Sequence, residues 1–154
     1  MAADRIKITE EGLASLKEEL HELITIRRPE IVATVARARE EGDLRENAGY
    51  DAAKHDQELI DRRIRELEQQ IKSADVISFT GGTSHVQIGS TVTVEIDGDE
   101  ETYTIVGAVE ARPREGRISN ESPYGRALLG RRVGETVDIQ APNGSLKARV
   151  VNIA

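Results

Sequence analysis

The sequence has no cysteine and no tryptophan, one phenylalanine and three tyrosines. Without cysteine, disulfides, thiolate metal sites and cysteine nucleophiles are excluded together. With aromatics at 3% of the chain, large apolar groups are too scarce for one big globular core. Elongated helices with narrow apolar seams suit that supply better. Long hydrophobic runs are also missing: no stretch approaches the ~18 apolar residues of a membrane span. The opening MAADRIKITEEG lacks the apolar stretch of a secretory leader. A soluble cytoplasmic protein that touches no membrane is the expectation. Nor is there an excess of positive charge, the formal net being −7. A free-standing nucleic-acid binder needs surplus Lys and Arg to displace counterions, so that simple model is excluded and only local basic patches remain.

What is present divides near residue 75. Residues 10–75 are rich in Glu, Leu, Ala, Arg and Ile, whereas residues 76–154 hold most of the glycine and read as short β-branched runs between turns. The spacing predicts helix for the first half and mainly strand for the second. Thr9 is placed to cap a helix whose apolar series runs Leu13, Leu16, Leu20, Leu23. The series then slips by one residue and continues through Ile24, Ile31, Val35 and Ala38, beside Arg27-Arg28-Pro29. A proline there removes a helical hydrogen bond and predicts a kink. A second series, Tyr50, Ala53, Gln57, Ile60, Ile64, Leu67, Ile71, Ala74, alternates steps of 3 and 4 throughout, the mark of a coiled-coil seam. Two such helices a few residues apart fold back as an antiparallel hairpin, with the turn at Glu40-Glu41-Gly42-Asp43-Leu44.

In the second half, strands are expected at residues 85–88, 90–96, 101–109, 135–140 and 145–153. Asp97-Gly98 and Asn143-Gly144 supply hairpin turns. Ser122-Pro123 before Ala127-Leu128-Leu129-Gly130 reads as a short helix with a Ser cap, Pro in its first turn and Gly past its end. The organisation expected is an α+β chain. Residues 1–77 form the coiled-coil domain with its acidic tip at 41–46, residues 78–84 a linker, and residues 85–154 a small antiparallel β domain with one short helix.

The tip, Glu41-Gly42-Asp43-Leu44-Arg45-Glu46-Asn47, supports two readings that can coexist. In one, Gly42 ends the first helix, and Asp43 and Glu46 form a capping box on the second. In the other, two carboxylates three residues apart at the end of a thin rod serve a site outside the protein. Mg²⁺ is commonly held by one or two carboxylates, with water and phosphate oxygens completing its shell. Two acids alone hold it weakly, so a partner must supply the remaining ligands. Arg37, Arg39, Arg45 and Lys54 flank the turn and are candidates for contact with a nucleic-acid backbone, against the plainer reading of a solvated mixed-charge face. His21, His55 and His85 are scattered and make no ligand pair, and Gly81-Gly82 reads as a flexible joint.

Three runs along the hairpin resemble the coiled coil of GreA-type transcription elongation factors: Arg27-Arg28-Pro29-Glu30-Ile31, Ala38 through Ala48, and Tyr50-Asp51-Ala52-Ala53. Ile118-Ser119-Asn120-Glu121-Ser122-Pro123 with Ala127-Leu128-Leu129-Gly130 resembles the C-terminal signature of the same Gre family, so the likeness spans essentially the whole chain. The resemblance implies an FKBP-like C-terminal domain that docks at the rim of the secondary channel of bacterial RNA polymerase, and a coiled coil that enters the channel. It implies that Asp43 and Glu46 help hold the polymerase's catalytic Mg²⁺ and stimulate the polymerase's own cleavage of backtracked RNA. Arg39, Lys54 and, more loosely, Arg45 match the basic patch near the RNA 3′ end, and Ser122 and Pro123 match the docking motif. By the same implication the chain is no enzyme alone, needs no cofactor of its own and works as a monomer.

Two positions depart from the family pattern. Gly49 stands where many relatives carry a longer polar residue, and Lys54 keeps the charge of an arginine without its planar fork. Three other functions compete. An inhibitory Gre homologue carries an altered tip, against the intact Gly-Asp-Leu-Arg-Glu-Asn here. A prolyl isomerase needs an aromatic-lined pocket, for which Phe79, Tyr103 and Tyr124 are too few. A purely structural adaptor is indifferent to the tip acids.

Overall fold

Residues 5–40 and 48–154 are described by a computed structural model. The chain forms two compact units, Ala14–Ser73 and Met1–Leu13 with Ala74–Ala154.

The helical unit is a hairpin. Its first arm runs through α1 (Glu10–Glu22), a π-helical turn (Leu23–Arg27) and α2 (Arg28–Glu40); its second arm is α3 (Ala48–Lys72). Cross-arm partners nest in reverse order: Arg39 with Tyr50, Arg28 with Asp61, and Glu19 with Arg63. The arms are therefore antiparallel, as predicted. Leu16, Val35, Ala53, Ile64 and Leu67 are its buried apolar residues, a narrow seam that neither arm closes alone. Arg63 grips the Glu19 carboxylate with two N–H groups, Nε at 2.8 Å and Nη2 at 2.9 Å, and reaches Glu66 at 2.9 Å with Nη1. These carboxylates push the guanidinium's pKa further above its already high ordinary value.

The break predicted at Pro29 is a π turn just before it, in which the Arg28 N–H reaches the Leu23 carbonyl. A π turn holds one more residue than an α turn, which accounts for the one-residue slip of the seam. Ile24, expected in that seam, is instead 38% exposed. Leu23 is the half-buried residue on that turn.

The β unit contains two sheets. In the larger, the order is β5 (Arg117–Ser119), β4 (Asp99–Val106), β3 (Thr91–Ile96), β7 (Gly144–Ile153), β6 (Thr136–Ala141). All neighbours are antiparallel except β4 and β5, which are parallel. Asp97 and Gly98 both take positive φ, 52° and 86°, the type I′ geometry that joins β3 to β4 with the natural twist. The register of β3 on β7 slips between Thr93 and Val94, leaving Val151 as the extra residue of a bulge. For that reason Ala148, Val150 and Ile153 all face inward despite their uneven spacing.

These strands enclose a core of Val86, Val92, Val94, Ile105, Leu128, Ile139 and their neighbours. The predicted strand at 85–88 does not form. Instead the Val86 N–H donates to the Arg131 carbonyl at 2.8 Å, and the Val86 carbonyl accepts from the Gly130 N–H at 2.9 Å. The chain then turns at Gly89, with φ 102°. A Cβ added there would lie 2.6 Å from the Phe79 Cβ. Only glycine meets both demands.

The smaller sheet pairs β1 (Ile6–Thr9) in parallel with β2 (Ala74–Ile77). Neither strand was expected from the sequence. Ile8 is fully buried, and Glu110 fastens the end of β1. Its carboxylate, 6% exposed, accepts from the Thr9 N–H at 2.7 Å, the Thr9 hydroxyl, the Gly107 N–H at 3.2 Å and Arg117 at 3.2 Å. Thr9 in turn caps α1 as predicted, its hydroxyl accepting from the Gly12 N–H at 3.0 Å.

Candidate functional site

The hairpin carries its candidate residues at and beside the turn. Asp43, Arg45 and Glu46, with the expected C-cap at Gly42 and the capping box, lie outside the described residues. The two arms that lead to them are described up to Glu40 and from Ala48.

Arg39 lies on the last turn of α2 and Lys54 on the second turn of α3. The Arg39 Nη2 donates to the Tyr50 hydroxyl at 3.3 Å, and the guanidinium lies 5.8 Å from the centroid of the Tyr50 ring. Such a cation over an aromatic face is attracted by the ring quadrupole. Tyr50 therefore does more than fill a seam position: it holds the Arg39 side chain across the hairpin near the turn. Lys54 follows Tyr50 by four residues on the same face of α3. Arg39 and Tyr50 are thus in contact, and Lys54 lies one turn along α3 from Tyr50. Arg37 is differently placed, with its Nη2 donating to the Thr34 hydroxyl one turn back at 3.2 Å. Sequence reasoning had no signal for the Tyr50 clamp, because Tyr50 is spaced like any other seam residue.

In the β unit, Ser122 and Pro123 open α4 (Pro123–Leu128) as predicted. The Ser122 hydroxyl accepts from the Gly125 N–H at 3.1 Å and donates to the Ser119 carbonyl at 2.7 Å. The Glu121 N–H is held by the Ser119 hydroxyl at 3.0 Å. Ser122 is thereby committed within the loop, and its work is to set the loop's shape. Gly125 must pass close to β5, since an added Cβ would stand 2.0 Å from the Ser119 carbonyl oxygen. The side chains left outward are Glu121, Pro123 and Arg126. Behind them the Tyr124 ring packs on Tyr103 at 5.4 Å between centroids, tilted by 57°. The Tyr103 hydroxyl donates to the Glu101 carboxylate, and burial first, then that carboxylate, raises its pKa well above the usual tyrosine value.

Among the described residues, no group of three or more His, Cys, Asp or Glu is arranged to hold a metal ion, and no helix is long and apolar enough to cross a membrane. The described surface carries cationic side chains towards the facing ends of α2 and α3, and a loop braced by Ser119 and Ser122 on the β unit.

Comparison with known proteins matches the chain in two consecutive segments, the first of which includes β1 and nearly all of β2 with the hairpin. Residues 6–76 match the family model described as transcription elongation factor, N-terminal, and residues 82–154 match that of transcription elongation factor, GreA/GreB, C-term. The chain is 58% identical over 155 residues to the transcription elongation factor GreA of Thermomicrobium roseum, covering 99% of each chain. It is 45% identical over 157 residues to GreA of Bacillus subtilis, covering 100% of each. Among solved structures, a GreA factor homolog of Thermus thermophilus shares 30% identity at a TM-score of 0.46, covering 97% of this chain and 99% of that one. A GreA/GreB factor of Nitrosomonas europaea shares 21% at a TM-score of 0.43, with the same coverage. With both halves matched in order and a full-length relative at this identity, the chain belongs to the GreA/GreB family of transcription elongation factors.

Proposed function

We propose that this protein stimulates the cleavage of backtracked nascent RNA by bacterial RNA polymerase, entering the polymerase's secondary channel with its hairpin and docking at the channel rim with its β unit. The observation that carries the reading is an acidic pair, Asp43 and Glu46, in the sequence between the two arms of a helical hairpin belonging to this family. A narrow two-helix rod suits a channel too tight for a globular domain.

The donor set suits Mg²⁺, a hard cation that prefers carboxylate oxygens and keeps several non-protein ligands. Asp43 and Glu46 would help hold the ion, which in the shared site would supply Lewis-acid assistance to phosphodiester cleavage. Asp43 and Glu46 contribute their carboxylate oxygens and a negative charge; the polymerase contributes the rest of the site. Arg39, Arg45 and Lys54 steady the RNA phosphates near the 3′ end, with Tyr50 holding Arg39 in place. Ser122 shapes the docking loop from within. Pro123 forms part of its outer face. On this reading the protein is not an enzyme alone, acts in the cytoplasm as a monomer, and takes no cofactor beyond the shared Mg²⁺.

The test is RNA 3′-end loss from a stalled, backtracked elongation complex. Adding the protein should accelerate release of a 3′ fragment, whereas the protein with free RNA should release nothing. Tight binding to polymerase with no acceleration would overturn the reading in favour of an inhibitory homologue or an adaptor.

A further inference from the structure

The two arms of the hairpin do not carry the same number of residues per length of seam. On α3 the inward residues are Tyr50, Ala53, Gln57, Ile60, Ile64, Leu67 and Ile71, an unbroken alternation of 3 and 4. On the first arm they are Leu16, Leu20, Leu23, Arg28, Ile31, Val35 and Ala38. Their steps are 4, 3, 5, 3, 4 and 3, and the step of 5 spans the π turn Leu23–Arg27. Remove one residue from that step and the first arm becomes a continuous heptad. The first arm therefore holds one residue more than its seam needs, and the π turn stores it.

The surplus has a second place to go. If the wide turn lay one turn earlier, the seam would run Leu20, Ile24, Arg28, with everything before Leu20 and after Arg28 unchanged. Ile24 would replace Leu23 at one seam position, an exchange of isomeric apolar side chains. Such volume-conserving swaps cost little. Three observations mark the present arrangement as poorly locked. Ile24 and Ile26 are 38% and 51% exposed. The seam residue after the turn is Arg28, which meets Asp61 at 3.4 Å, yet its buried Nε has no hydrogen-bond partner. Pro29 brings no N–H to the ladder.

We propose that the π turn is a movable joint in the shaft: the surplus residue passes between two neighbouring turns, exchanging Leu23 and Ile24 in the seam. The joint lets the first arm yield locally while both ends of the seam stay in register. It stands independently of the polymerase reading.

The experiment uses the full chain and compares deletions in a Pro29→Ala background, which removes the proline's own effect. Deleting Thr25 should restore the heptad and raise Tm by about 3 °C or more over Pro29→Ala alone. Deleting Ala33 should lower Tm, because it takes either Val35 and Ala38 or, if the π turn relaxes, Arg28 and Ile31 out of the seam. Equal losses from the two deletions would overturn the surplus. Movement is tested by hydrogen exchange at residues 20–28. Ile24→Glu leaves the observed state intact, since Ile24 faces outward, but forbids the alternative. It should slow exchange there several-fold, and unchanged exchange would overturn the joint.

Discussion

The two units meet the same shortage of large side chains in different ways. Among the described residues of the hairpin, five buried apolar ones, Leu16, Val35, Ala53, Ile64 and Leu67, lie along two long arms. In the β unit, thirteen buried residues from Val86 to Ile153 close into one cluster. The β unit needs few aromatics because β-branched side chains on paired strands fill a small curved sheet efficiently. A hairpin spreads its burial thinly because two paired helices share only one narrow seam. The comparison teaches that local stability should be concentrated in the β unit, and that the hairpin should open first.

Truncating the cores gives the largest effects. Leu67→Ala and Ile139→Ala each remove a fully buried side chain and should cost about 2–5 kcal/mol. The comparison predicts different ranges for the damage: hydrogen exchange should rise along most of residues 14–73 for Leu67→Ala, but stay within the β unit for Ile139→Ala. Uniform loss of protection in both variants would break the contrast.

The clasp on the N-terminal strand comes next. Glu110→Gln replaces a carboxylate that accepts from four donors. It should cost about 1.5–3 kcal/mol, the range for hydrogen bonds to charged groups. Exchange at the Thr9 and Gly12 amides, measured alongside, should rise more than at Ile139. If those amides keep their protection, β1 is held by Ile8 and strand pairing rather than by Glu110.

The smallest expected effect is in the loop we propose docks on polymerase. Ser122→Ala removes the cap of α4 and should cost about 1 kcal/mol, read as a small fall in urea midpoint. Its effect on polymerase binding should exceed that figure, because Ser122 also ties the loop to Ser119. Equal effects on stability and binding would mean the loop's shape is immaterial to docking.

What was legible in the sequence follows the range of the interaction that produces it. The α3 seam, the Asp97-Gly98 turn and the Ser122-Pro123 helix start each depend on residues a few positions apart, and each formed where expected. β1 and β2 escaped because their signal is non-local: residues 6–9 pair with 74–77, and four-residue strands carry no alternation long enough to read. Residues 85–88 looked like a strand from composition, but the chain there is clipped to residues 130 and 131. The slip in the first arm's seam was visible as a phase error at Pro29, though not which of Leu23 and Ile24 would face inward. At the candidate site, Asp43, Arg45 and Glu46 come from one contiguous motif and lie outside the described residues. The Tyr50 hold on Arg39 crosses the hairpin and was not legible.

The central claim is that the tip acids act as ligands for a partner's metal and not merely as helix caps. Asn caps a helix about as well as Asp but lacks the negative charge Mg²⁺ requires. The most direct measurement is therefore transcript cleavage in a backtracked polymerase complex with Asp43→Asn, beside circular dichroism and polymerase binding of the same variant. The account predicts unchanged helicity and binding, with stimulation reduced by about 100-fold, as several kcal/mol of lost metal-assisted stabilisation implies. Full stimulation by Asp43→Asn would contradict it and leave that residue as a cap.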